Sequence, residues 1–325
     1  MKCTNKIKWC GCLSLFLSIL LTGCSSSTYA MPYKESGQVS SFKLATNNDS
    51  RTAEPFAAKL CVVDTDISNA DVSLDEIGAA ALFDLGNLDT LYALDVNEQL
   101  HPASLTKVMT ALVAMKYGSM DQVLTASENV RITEPGAQLC GLSPGDTMTL
   151  DQALRILLIN SANDAAILIA EGVSGSVDAF VEQMNEEARS IGATNCNFLN
   201  PNGLTQDGHY VTAYDLYLIF NQALQYNLFN EIIQMPSYST TYQDKNGNEK
   251  SLEVKSTNQY IQGNVAMPQG ITVIGGKTGT TNAAGHCLIL LSKDSSGDSY
   301  ISVILNSSST EDLYIKMTEL LEDVN

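Results

Sequence analysis

Three short polar motifs, set far apart among apolar-patterned segments, constrain this chain of 325 residues more than any other feature. They are Ser104-Leu105-Thr106-Lys107, Ser161-Ala162-Asn163 and Lys277-Thr278-Gly279. Each is weak alone. Ser40-Ser41-Phe42-Lys43 also fits the first pattern, and Ser127-Glu128-Asn129 and Ser256-Thr257-Asn258 fit the second. Their order and wide separation leave room for folded elements in between, so the fold they ask for is one that brings three distant segments to one place.

Joined, they supply the parts for acyl transfer through a serine ester. On a helix, residues i and i+3 share a face, so Ser104 and Lys107 can meet. A serine hydroxyl becomes a useful nucleophile only when a neighbouring base takes its proton. An ordinary lysine, with a pKa of about 10.4, is charged at neutral pH and cannot do so. Burial, and a second cation such as Lys277, would push its proton off. A start-of-helix position for Ser104 adds backbone N–H groups that favour an oxyanion. A plain N-cap serine is the competing reading, but it leaves Lys107 unexplained in so apolar a helix. Ser161 can relay a proton to the leaving amine. Asn163 can orient Lys107 and bind a substrate amide, and Asp164 is a candidate cap for the helix that follows. Lys277 and Thr278 suit a substrate carboxylate. Gly279 leaves an edge strand open to an extended peptide. The backbone N–H groups of Ser104 and Thr280 are the candidate oxyanion donors, each worth about 3–4 kcal/mol.

Rival chemistries fit less well. A phosphate-binding loop ending in Gly276-Lys277-Thr278 needs a glycine where Ile271 stands. His101, His209 and His286 are the only histidines, with no GxSxG elbow and no HExxH, and are read as structural or exposed. No metal and no cofactor is expected. The net charge of −18 argues against nucleic acid, and an apolar fraction of 44% is ample for a core.

Lys2, Lys6 and Lys8 precede an apolar run, Leu13 to Leu21, too short to span a bilayer. It ends in Leu21-Thr22-Gly23-Cys24. The organisation expected is an export signal over 1–23, a Ser/Thr/Asn/Pro-rich tether over 24–57 and a folded domain over 58–325. Removal of the signal leaves a charge of −21, because it contains three lysines and no acid. A thirty-residue coil has an r.m.s. span of roughly 30 Å. Cys61, Cys140, Cys196 and Cys287 permit disulfides in an exported chain without requiring them.

Residues 79–85 and 90–95 read as strands joined at Gly86-Asn87. Helices follow over 104–117, 150–159, 164–171 and 176–190, the first carrying apolar positions at helical spacing. Strands return over 271–274, 286–291 and 300–305, before a final helix over 311–321. The expected fold class is mixed α/β (α+β): an antiparallel sheet flanked by helices, with an inserted all-helical subdomain.

The wording of the motifs resembles the low-molecular-weight penicillin-binding proteins, the serine D-alanyl-D-alanine carboxypeptidases. The stretches that carry the likeness are 102–110, Ser161 to Ala166, Asn200-Pro201-Asn202-Gly203-Leu204 and 277–285. Together they place the resemblance over roughly 58–325. It implies a transpeptidase and β-lactamase type of fold, and removal of the terminal D-alanine from peptidoglycan pentapeptide through an acyl-enzyme on Ser104. It also implies β-lactams as covalent inhibitors of Ser104. Leu21 to Cys24 resembles a lipobox, which implies lipidation of Cys24, membrane attachment through that lipid, and a place in the bacterial cell envelope outside the cytoplasm. Many such enzymes carry a further β-rich domain and an amphipathic helix that are not seen here, so the lipid is expected to serve as the anchor. A β-lactamase is the nearest rival enzyme. Members of that class place a glutamate between the second and third motifs, and none lies between Glu187 and Glu231. A lipoprotein that binds wall peptide without turnover is the non-enzyme alternative.

Overall fold

The chain divides into residues 1–54 and 55–325. The computed structural model describes residues 57–68, 72 and 74–324. The export signal, Cys24 and the tether up to residue 56 lie outside the described residues.

Strands β1 (Ala79–Asp84) and β2 (Asp89–Leu94) open the fold, followed by a 3-10 turn at Ala103–Leu105 that leads into helix α1 (Thr106–Tyr117). The short strands β3 (Val123–Thr125) and β4 (Thr147–Thr149) precede helices α2 (Leu150–Asn160), α3 (Asn163–Ser174) and α4 (Val177–Ser190). Helices α5 (Ala213–Ala223) and α6 (Asn227–Ile233) lead to strands β5 (Ser237–Gln243) and β6 (Glu249–Lys255) and the single-turn helix α7 (Gln259–Gln262). Strands β7 (Thr272–Thr281), β8 (Gly285–Lys293) and β9 (Ser299–Ser307) and helix α8 (Thr310–Glu322) complete it.

The main sheet is antiparallel, in the order β2-β1-β9-β8-β7, so the chain's first strands are zipped to its last and β7 forms an edge. Side chains alternate across a strand, and here both faces are covered. Ala79, Ala81 and Phe83 of β1 face the core shared with the helical block. Ala80 and Leu82 face a second core, under α8, that includes Leu313, Met317 and Leu320. This is why β1 is buried along its whole length and reads as continuously apolar.

The strands and helices expected from periodicity are present, within a few residues at their ends except for β7, which runs seven residues past the expected 274. The insert also carries a small antiparallel sheet, in the order β3-β4-β5-β6. Its β5–β6 hairpin turns at Asp244, whose carboxylate accepts from the backbone N–H groups of Asn246 and Asn248. The third motif does not follow its strand but lies inside it, since β7 runs on to Thr281. Asp164 does not cap α3: Ala162 holds the N-cap position, and the Asp164 carboxylate is used elsewhere. Cys61, Cys140, Cys196 and Cys287 are all free thiols.

Phe83 stacks on Tyr217 of α5 at 4.1 Å between ring centroids, and both are fully buried. Phe83→Ala is expected to cost about 3–5 kcal/mol of stability in a urea titration, as a buried cavity where sheet and helical block meet.

Candidate active site

Four elements converge on Ser104. The 3-10 turn that holds it sits one residue ahead of α1, and no side chain caps either helical segment there. Its hydroxyl is therefore free of a capping role. One turn on, Lys107 is fully buried among apolar neighbours. Its Nζ lies 2.7 Å from Ser104 Oγ, 2.8 Å from Asn163 Oδ1 and 2.5 Å from the Asn202 carbonyl. Burial above all, and then the nearby Lys277 amine, hold Lys107 well below the usual lysine range, against a weaker upward pull from Asp164.

The second motif is placed by the break between α2 and α3. Ser161 ends α2 in the left-handed region at φ 66°, an uncommon conformation for a residue with a side chain. This sharp stop lets α3 restart at Asn163, whose side chain reaches Lys107 and whose backbone N–H donates to the Gln138 carbonyl at 2.8 Å. Asp164, nearly fully buried, ties down the facing loop: its carboxylate accepts from the backbone N–H groups of Cys140, Gly141 and Leu142 at 2.9–3.0 Å.

The third motif sits on β7. Lys277 and Gly279 face the helical block, and Thr278 and Thr280 face the opposite side. Lys277 Nζ donates to Ser161 Oγ at 2.9 Å and to the Thr278 carbonyl at 2.7 Å, and its burial brings its pKa down to about 7. A Cβ on Gly279 would stand 3.0 Å from the Ser104 nitrogen, so this glycine sets how closely the strand approaches the serine turn.

Ser104, Ser161, Asn163, Thr278, Gly279 and Thr280 thus line one cleft of about 660 Å³, with Lys107 and Lys277 buried behind it. Cys24 lies outside the described residues.

Three contributors were not singled out by residue type. The Asn202 carbonyl serves as an acceptor, and a backbone atom leaves no trace in composition. Its loop is braced by Thr110 Oγ1 donating to the Pro201 carbonyl at 2.6 Å and by the Gly203 N–H donating to Asn200 Oδ1 at 2.7 Å. Gly203 has φ +83°, and a Cβ there would stand 1.8 Å from the Ala103 carbonyl oxygen. The turn residues of the Asn-Pro-Asn-Gly run were the available signal. Thr257, in one of the incidental Ser-x-Asn matches, lies 2.5 Å from Thr278 across their hydroxyls. His286, read above as structural or exposed, lines the cleft. His209 is buried, its pKa lowered to about 4 by desolvation and by His101, and it pairs with Thr106 at 3.1 Å behind the serine turn.

An antiparallel sheet whose edge strand carries a lysine beside a helix-borne serine–lysine pair defines the DD-transpeptidase fold. The crystal structure of the Streptomyces K15 DD-transpeptidase superposes with a TM-score of 0.71 at 24% identity, covering 80% of this chain and 98% of that one. The chain belongs to the peptidase S11 family, described as D-alanyl-D-alanine carboxypeptidase, which it matches over residues 70–309. It is 33% identical over 254 residues to the D-alanyl-D-alanine carboxypeptidase DacF of Bacillus subtilis, covering 76% of this chain and 61% of that protein. It is 30% identical over 250 residues to DacC of Escherichia coli K12, covering 74% and 59%. The chain thus spans about three fifths of the length of these curated relatives.

Asp164→Ala would take their acceptor from three backbone N–H groups, that of Leu142 buried and those of Cys140 and Gly141 partly so. It is expected to destabilise the fold by about 2–4 kcal/mol and to speed amide exchange at residues 140–142, read by hydrogen–deuterium exchange.

Proposed function

We propose that this protein is a serine D-alanyl-D-alanine carboxypeptidase that removes the terminal D-alanine of peptidoglycan pentapeptide and is acylated by β-lactams at Ser104. The observation that carries the reading is the set of partners around Lys107 Nζ. Asn163 Oδ1 and the Asn202 carbonyl can only accept. A neutral amine has two N–H bonds and one lone pair. With both N–H bonds donated to those two oxygens, the lone pair is left for the Ser104 O–H at 2.7 Å. The buried setting that lowers the lysine's pKa favours that neutral form.

In this mechanism Ser104 Oγ attacks the carbonyl carbon of the penultimate D-alanine while its proton passes to Lys107 Nζ. The backbone N–H groups of Ser104 and Thr280 hold the resulting oxyanion. The proton then passes from Lys107 to Ser161, which is bonded to Lys277, as Ser161 gives its own proton to the departing D-alanine nitrogen and the C–N bond breaks, leaving Lys107 neutral. Water then attacks the Ser104 ester while Lys107 takes its proton, and Lys107 returns that proton to Ser104 Oγ as the shortened peptide leaves. Asn163 holds Lys107 and the substrate amide, while β7 pairs with the extended peptide at its open edge and Thr278, with the buried Lys277 amine behind the strand, takes its carboxylate. The same reading takes residues 58–325 as the catalytic domain, residues 24–57 as a tether and a lipid on Cys24 as the membrane anchor.

Ser104→Ala is expected to abolish both D-alanine release and the penicillin adduct seen by mass spectrometry of the intact protein. A fully labelled Ser104→Ala protein would sink the proposal. Lys107→Met should slow acylation by about 10²–10⁴-fold. Because protonation of Lys107 removes the base, the acylation rate should fall as pH drops through the amine's lowered pKa. In Lys107→Met the rate should stay low and lose that dependence, as followed by penicillin acylation between roughly pH 5 and 9.

A further inference from the structure

The turn that carries Ser104 has little of its own to hold it. Ala103 sits at φ 47°, in the left-handed region, and neither the 3-10 turn nor α1 has a side-chain cap at its start. An uncapped helix start leaves its position to tertiary contacts. Two of these are contacts of shape, Gly203 against the Ala103 carbonyl and Gly279 against the Ser104 nitrogen. They limit how closely the neighbours approach without setting a direction.

Directional bonds come from one short segment, residues 209–211. Ahead of the turn, Leu100 and Val211 exchange backbone hydrogen bonds of 2.9 Å, and His101 Nδ1 donates to the His209 carbonyl at 3.0 Å. Beyond the turn, the ring of the same His209 reaches Thr106, with Nε2 3.1 Å from Oγ1. Residues 102–105 are thus a loop closed at its base by one residue. Resting on the reading of Ser104 as the acylated serine, we infer that His209 is a positioning residue for the nucleophile. Its carbonyl on His101 and its ring on Thr106 clamp both ends of the serine turn and hold Ser104 Oγ against Lys107 Nζ. Thr106 transmits the constraint because Ser104 precedes it by two residues and Lys107 follows it directly. Displacing reacting atoms by about 1 Å can cost about a hundredfold in rate.

His209 is itself held from behind. Asn197 and Tyr210 exchange backbone hydrogen bonds of 2.9 and 3.1 Å, and the Asn197 amide donates to the Gly208 carbonyl at 2.7 Å. Phe198 meets the imidazole edge-on at 5.8 Å between centroids. Both His209 and Thr106 are buried. Among the described residues, His209 Nδ1 finds no partner, so the ring makes its side-chain hydrogen bond to Thr106 alone. A buried polar atom left bare is a cost that an apolar side chain of similar size would avoid, and packing alone gives no reason to bear it. Desolvation and then His101 bring the ring's pKa down to about 4, so it is neutral at neutral pH and adds no third cation behind Lys107 and Lys277.

The test is acylation of the full chain by penicillin, read as the limiting rate at saturation and the half-saturating concentration. It compares the wild type with His209→Leu, Thr106→Val, the double variant and His209→Gln. Each of the first two should lower the limiting rate about three- to tenfold, the worth of one hydrogen bond, and leave the half-saturating concentration unchanged. The double variant should be no slower than the slower single one, because both changes remove the same contact. His209→Gln, whose amide can still reach Thr106, should recover most of the rate, and none of it once Thr106→Val is added. A merely structural histidine gives a lower melting temperature with the wild-type limiting rate in the folded protein, or losses that multiply in the double variant. Either result overturns the clamp. Should His209→Leu fail to fold, Thr106→Val acylating at the wild-type rate overturns it equally. A wild-type protein that takes no label at Ser104 refutes the acyl-enzyme reading itself.

Discussion

The proposed chemistry depends on keeping one amine uncharged inside a protein core. Lys107 has three oxygen partners and no carboxylate among them, within a helix whose other buried residues are apolar apart from Thr106 and Thr110. Had a carboxylate contacted it, the ion pair would hold the proton and the serine would lack a base. The surrounding architecture supplies oxygen without charge: an amide from α3 and a carbonyl from the Asn-Pro-Asn-Gly loop. Asp164 is the near exception, raising the lysine's pKa from a distance, and its carboxylate is already committed to three backbone N–H groups.

That requirement explains why the site is assembled from segments so far apart. No single stretch can supply a buried lysine, two neutral acceptors and a second amine without also supplying the apolar mass that desolvates them. The sheet brings the last third of the chain back beside the first strands through the β1–β9 pairing. This delivers Lys277 to the same pocket as Lys107. Two of the meeting segments carry local backbone strain: Ala103 and Ser161 both adopt positive φ within this site.

Much of this was legible in the amino-acid order. The helical spacing of Leu105, Val108, Met109 and Leu112 announces α1, and the run from Ala79 up to the turn at Gly86-Asn87 a strand. The five strands of the main sheet follow from alternating or β-branched segments next to turn residues. What stayed hidden has physical reasons. The β5–β6 hairpin is polar and half-exposed, Ser-Tyr-Ser-Thr-Thr-Tyr-Gln against Glu-Lys-Ser-Leu-Glu-Val-Lys, so it carries too little apolar contrast to stand out. Asp164 reads as a helix cap by position, yet tertiary contacts gave its carboxylate to a neighbouring loop. The Asn202 carbonyl is invisible because every residue has one. His286 lacked a local motif and took its place only through strand pairing with Thr280.

The open edge of β7 has another side. A row of backbone donors and acceptors left bare for a visiting peptide will also adhere to any extended chain of the right length, including a second copy of itself. Here that row is boxed in, by the serine turn pressed against Gly279 at one point and by the Thr257–Thr278 contact at another. Such crowding leaves only a short stretch of the edge for pairing and obstructs a long strand lying full length. The edge proposed to receive a peptide is therefore also hemmed in against stacking into ribbons.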